Sequence, residues 1–145
     1  MKFHISTRVE SRVESNQSRP GAAHPTEAAP SAREPRHLRD CLGMFATGVT
    51  IITTGAADGG FIGFTANSFN SLSLDPPLVL WSLHERAGSV AAFTDASHFA
   101  VNVLCADQLA LALRFSRPGT NRFAGVTVHA GLGGAPLIDG ALTWF

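Results

Sequence analysis

The chain has 145 residues, about the length of one domain, with a formal net charge of zero. Hydrophobic residues make up 45% and charged residues 15%, enough to bury a core and to exclude disorder along the whole chain. The neutral balance also removes the usual electrostatic reason to expect nucleic acid or an acidic membrane as partner.

Residues 1–35 read as a disordered N-terminal extension. Arg, Ser, Glu, Pro and Ala alternate there without period, and Pro20, Pro25, Pro30 and Pro35 interrupt any helix. Residues 36–145 form the expected domain. Leu38, Leu42 and Phe45 follow helical spacing with Cys41 on the same stripe, and Gly48 is the expected stop. Val49–Thr54 is β-branched throughout and predicts a strand. The Asp-Gly signal in Ala56–Gly60 predicts a turn, with Phe61–Ala66 returning antiparallel. A third strand is expected over Leu78–Leu83, a short helix over Ser89–Ala96 with Ser89 as its N-cap, and a fourth strand over His98–Leu104. Asp107 is the expected cap of a helix running to Phe115 and buried through Leu109, Ala112 and Leu113. Residues 116–140 are rich in Gly and Pro, with a short strand around Val126–His129. A last strand begins over Ala141–Phe145 with no obvious partner. Hairpin-linked strands with a few short helices predict a small antiparallel barrel whose closing strands are missing.

The chemistry is concentrated in Gly63–Pro77, GFTANSFNSLSLDPP. Thr65, Asn67, Ser68, Asn70, Ser71 and Ser73 crowd together, interleaved with Phe64, Phe69, Leu72 and Leu74. Period-two alternation over Phe69–Leu74 predicts one polar side and one apolar side. Many neutral hydrogen-bonding groups and no formal charge suit a ligand with a polar heterocyclic edge and a phosphate. By itself the run reads as readily as a polar turn ahead of Pro76-Pro77.

FATGVTIITT, GFTANSFNSLSLDPPLVLWSL, HFAVNVLCADQLALALRFS, RFAGV and GLGGAPLIDGALTWF occur in this order. Together they closely resemble the flavin reductase-like, FMN-binding split-barrel family, which includes the short-chain reductase components of two-component flavin-dependent monooxygenases. The resemblance covers about Leu38–Phe145. It implies a mainly β fold with short helices, an antiparallel split β-barrel, usually a homodimer. It also implies NADH- or NADPH-dependent reduction of FMN or FAD, with the reduced flavin serving a monooxygenase component. Thr65, Ala66, Asn67 and Ser68 match the stretch at the isoalloxazine edge and ribityl chain, and Ser71 and Ser73 match positions near the ribityl phosphate. Arg86 and Ser89 follow the LVLWSL strand, where the family places further phosphate contacts, although HERAGS departs from its Ser-rich wording. Asn102 reads either as a flavin contact or as a strand amide holding a loop. Family domains continue past GALTWF to a His-containing segment near the nicotinamide, so the expectation is a C-terminally truncated domain. A non-catalytic flavin carrier or sensor, or an inactive fragment, is the alternative.

No catalytic side chain is expected, because hydride transfer is the flavin's own chemistry. GLGG at Gly131–Gly134 reads as a turn, since no βαβ unit surrounds it. His84, His98 and His129 have no carboxylate at metal-ligand spacing, and no metal is expected. Trp81 and Trp144 read as core or interface residues. Cys41 and Cys105 form no CxxC, no apolar run is long enough for a membrane span, and no signal-peptide stretch opens the chain. A cytoplasmic protein with reduced thiols is the expectation. Beyond Cys41 the only basic residues are Arg86, Arg114, Arg117 and Arg122, so few that each invites a question.

Overall fold

The computed structural model describes residues 35–119 and 121–145. The expected extension over residues 1–35 lies outside them, apart from Pro35. The chain divides into two compact units, Met1–Ala46 and Thr47–Phe145. In the first, helix α1 spans Pro35–Gly43 and so ends before Gly48. At Gly43 the chain tightens. The Met44 N–H donates to the Cys41 carbonyl and the Phe45 N–H to the Leu42 carbonyl, three residues back rather than four. Leu42 and Phe45 are exposed, so the apolar stripe does not mark a buried face among the described residues.

The second unit is built around strand β1, Thr50–Gly55, of which Thr50–Thr54 are buried. A β-branched run without alternation is what a strand covered on both faces requires. β2, Phe61–Ala66, pairs antiparallel with β1 from Thr50↔Ala66 to Gly55↔Phe61. The hairpin closes as expected. The Ala56 N–H donates to the Gly60 carbonyl, Asp58 Oδ1 accepts from the Gly60 N–H, and Gly59 takes a φ of +82°. On the other side of β1 lies β5, Ala100–Val103, and beyond it β8, Thr143–Trp144. The sheet order is β2-β1-β5-β8. The last strand therefore does have a partner: it pairs with β5 at Asn102↔Trp144 and Val103↔Thr143.

One face of this sheet buries Ile52, Ala66 and Val101 against Phe93, with Phe64, Phe69, Trp81 and Phe99 packed around them. Phe93 comes from helix α2, Val90–Asp95. Ser89 stands at its N-cap as expected, but its side chain makes no capping bond. Trp81 lies 5.4 Å from Phe93 and 5.2 Å from Phe99 between ring centroids, in edge contacts typical of a packed core. The other face buries Ile51, Phe115 and Ile138. Phe115 is on α3, Leu109–Ser116. That helix is not capped by Asp107. Cys105 and Gln108 form a capping box around a 3₁₀ turn over Ala106–Gln108 that precedes it. Its buried face is Ala112 and Phe115, while Leu109 and Leu113 are exposed. A Cβ added to Gly63 would stand 3.0 Å from the Phe115 ring and 3.2 Å from the Ile52 carbonyl, so α3 lies close against β2.

Two strand pairs complete the unit. β3, Asn70–Leu74, pairs with β4, Pro77–Leu80, around a cis Asp75-Pro76 bond. The expected third strand is thus four residues long, because residues 81–84 leave the ladder. β6, Val128–Ala130, pairs with β7, Pro136–Ile138, through a 3₁₀ turn at Leu132–Gly134. Gly133 and Gly134 have φ of +60° and +77°, and a Cβ at Gly133 would collide with the His98 ring, so GLGG is a turn. The architecture is mainly antiparallel sheet with short helices, the expected class, and among the described residues the sheets do not close into a barrel.

β7 meets the large sheet through side chains rather than a backbone ladder. Thr53 Oγ1 donates to the Pro136 carbonyl (2.6 Å), and Asn102 Oδ1 accepts from the Ile138 N–H (2.7 Å). Asn102 Nδ2 donates to the Ile51 carbonyl (2.9 Å) and to Thr53 Oγ1 (3.0 Å). Trp144 Nε1 donates to the Ile138 carbonyl (3.0 Å). Asn102 and Thr53 are fully buried and satisfied, as buried polar groups must be.

Candidate functional site

β2 carries Thr65 and Ala66 to the end of its pairing with β1, and the chain then turns through residues 67–69 into β3. Alternation along β2 sends Thr65 and Ala66 to opposite faces. Ala66 is buried among the aromatic residues on the α2 side, and its carbonyl accepts from Thr50 Oγ1 (2.8 Å). Thr65 Oγ1 donates to the Ala112 carbonyl of α3 (2.6 Å). Its proton is committed there, so it tethers β2 to α3 and can only accept from a ligand. Asn67 is exposed and Ser68 is half-buried. Ser68 Oγ accepts from the Ser82 N–H (2.9 Å), which binds the turn after β2 to the chain leaving β4. The Ser68 hydroxyl keeps its own proton to donate.

The alternation expected over Phe69–Leu74 is broken. The β3–β4 register shifts between Ser71 and Ser73, leaving Leu72 as a bulge residue. Ser71 is exposed and Ser73 half-buried, while Leu72 and Leu74 face solvent at 61% and 90% exposure. Phe69 packs inward, 5.5 Å from Phe145 between ring centroids. The aromatic residues of and beside the polar run, Phe64 and Phe69, pack into the core with Trp81, while its leucines face solvent.

Thr65, Ala66, Asn67, Ser68, Ser71 and Ser73 are together on one β2–turn–β3 segment. Arg86 and Ser89 follow β4 in the turn before α2, and neither is hydrogen-bonded to that segment among the described residues. Arg86 is exposed, with its N–H donating to His84 Nδ1 (3.1 Å). Asn102 is not at a ligand surface: it is the buried amide that holds β7. His129 Nε2 lies 3.5 Å from Asp139 Oδ1, with both side chains exposed. Among the described residues no helix is long and apolar enough to cross a membrane.

The donor set fits a phosphorylated flavin. Residues 65–73 contain no carboxylate, and the exposed Asn67, Asn70 and Ser71 have side-chain groups uncommitted to other described residues. Exposed neutral amides and hydroxyls match the polar edge and phosphate tail of such a ligand.

Two surface depressions occur elsewhere, around α3. One, about 530 Å³, is lined by Leu113, Arg114, Arg117 and Arg122 among others; the second, about 360 Å³, by Gln108, Leu111, Val126 and Asp139 among others. The sequence shows these arginines only as scarce cations, and the fold brings all three to one hollow.

An antiparallel sheet with this polar turn after its edge strand has a family counterpart. Residues 42–145 match the flavin reductase like domain, and the chain belongs to that family. It is 47% identical over 110 residues to the reductase component of the flavin-dependent trigonelline monooxygenase of Acinetobacter baylyi, covering 76% of this chain and 36% of that protein. It is 45% identical over 116 residues to the FMN reductase (NADH) SmoA of Agrobacterium fabrum, covering 80% and 66%. Among solved structures it resembles the NADH:FAD oxidoreductase SgcE6 of Streptomyces globisporus in complex with NAD and FAD fragments. That likeness has a TM-score of 0.72 at 38% identity over 81% of this chain and 71% of that one. The chain spans 36% to 66% of the length of the first four curated relatives it matches.

Proposed function

We propose that residues 36–145 are the flavin-holding domain of an NADH- or NADPH-dependent FMN or FAD reductase that supplies reduced flavin to a partner monooxygenase. The observation that carries this reading is the carboxylate-free polar turn over Thr65–Ser73, exposed at Asn67, Asn70 and Ser71, at the end of β2 in a flavin reductase-like domain. The backbone at Thr65 and Ala66, with Asn67 and Ser68, would hold the polar edge of the ring. Ser71 and Ser73 would hold the phosphate side, with Arg86 and Ser89 contributing from the turn before α2. When bound, the flavin supplies the hydride-accepting centre, so no protein nucleophile is required. The protein's part is to orient the ring and to favour negative charge at its pyrimidine edge by hydrogen bonds. A homodimer working in the cytoplasm belongs to the same reading.

The test joins binding to turnover. FMN and FAD are titrated by quenching of flavin fluorescence, and oxidation of NADH and NADPH is then followed by loss of reduced-nicotinamide absorbance. Flavin-dependent oxidation of either nucleotide is expected. Bound flavin without oxidation would assign a carrier or sensor instead. The double variant Asn67→Ala, Ser71→Ala should bind FMN more than about tenfold more weakly, at roughly 1 kcal/mol per hydrogen bond lost. Unchanged affinity in the folded variant removes these residues from the site.

A further inference from the structure

Beyond Cys41 the chain has four basic residues, and three of them, Arg114, Arg117 and Arg122, line a single depression of about 530 Å³. None of the residues lining it is acidic, and among the described residues none of the three arginines is ion-paired. Two of the guanidinium groups are held in place. Arg114 Nη1 donates to the Ala124 carbonyl (2.8 Å), and Arg122 Nη1 donates to the Gly63 carbonyl of β2 (2.7 Å). Each anchoring bond uses one donor of a five-donor fork and leaves the others. Arg122 Nε is buried and has no hydrogen-bond partner among the described residues. A buried charged donor left unpaired is costly unless the site serves something that accepts from it.

The geometry points to a binding site for a multiply charged phosphate in this depression, separate from residues 65–73. Fixed guanidinium forks are the side chains best matched to phosphate oxygens. The C-terminal end of α3 opposes an anion, but with only roughly half an elementary charge against three full ones. The hollow is larger than one phosphate, and its other walls are Ala110, Leu113, Pro118, Gly119 and Asn121. An apolar wall beside a cationic one suits the ribose and base of a nucleotide, and a free inorganic polyphosphate is the other source of the same chemistry.

The experiment titrates ADP, inorganic pyrophosphate and adenosine into the full chain by calorimetry, with and without variants. ADP and pyrophosphate should bind and adenosine should not. Tighter ADP than pyrophosphate identifies a nucleotide as the source, and equal affinities identify free polyphosphate. Arg117 is exposed and its side chain is bonded to no other described residue, so Arg117→Glu should leave the fold intact. It should weaken both ligands by about tenfold or more, and Arg117→Lys by less. Arg122→Lys keeps the charge and removes the fork, and should also weaken both. The variant Asn67→Ala, Ser71→Ala should bind ADP normally, and Arg117→Glu should bind FMN normally, so failure here is distinct from failure of the flavin site. Absence of binding by ADP and pyrophosphate, or unchanged affinity in Arg117→Glu, overturns the proposal.

Discussion

Asn102 serves three bonds at once and has no exposure to solvent. Removing its amide orphans the buried Ile138 N–H and takes donors from the Ile51 carbonyl and Thr53 Oγ1. An orphaned buried group costs about 1–3 kcal/mol, and the lost bonds add to it, so Asn102→Ala should lose about 3 kcal/mol in urea unfolding. If flavin contact were its main role, stability would hold and FMN affinity would fall. The same residue shows what a sequence withholds. An Asn in an apolar strand is compatible with a ligand contact or a structural amide, and the two separate only when its partners, residues 51, 53 and 138, are brought together by the fold. Thr65 is similar: its place after β2 was legible, but its commitment to the Ala112 carbonyl depends on a helix that lies 47 residues away.

At the level of elements, strands with strong local signals were read closely. β1 and β2 needed only a β-branched run and an Asp-Gly turn, and the structure moves their limits by a residue at most. Elements defined by long-range contact were read less well. β7 has three residues and begins with proline, so no period announces it; it exists because β6 pairs with it and Thr53, Asn102 and Trp144 receive it. The bulge at Leu72 likewise depends on β4, and it upset an alternation that looked sound along the chain. α3 kept its place but turned a different face, because Phe115, the largest side chain near its end, fills the space over Ile51 and Gly63. Phe115→Ala should therefore cost about 3–5 kcal/mol. Phe115→Leu should cost clearly less, and equivalent Leu109 and Leu113 truncations less still, as read from urea midpoints. A larger loss at Leu109 than at Phe115 would mean that α3 packs through the other face.

Across the whole second unit, the protection of backbone amides should follow the layering. β1 is central and covered on both faces, with β5 beside it. The β3–β4 pair is an isolated two-stranded ribbon with exposed residues on both strands. Native-state hydrogen exchange should then be slowest for peptides spanning residues 50–54 and 100–103 and much faster for those spanning residues 70–80. Equal protection in the two regions would mean that the ribbon is covered by something beyond the contacts described here. Flavin binding at residues 65–73 should slow exchange in the ribbon first, since that is where the least stable part of the site lies.

The joint between β7 and the large sheet also bears on how freely this chain can vary. Strands joined by a backbone ladder share a seam that almost any pair of side chains can accompany, because the bonding atoms are common to all residues. Here the seam is written in three particular side chains, Thr53, Asn102 and Trp144. A library of random substitutions should find those positions as intolerant as the aromatic core, although two of the three are polar.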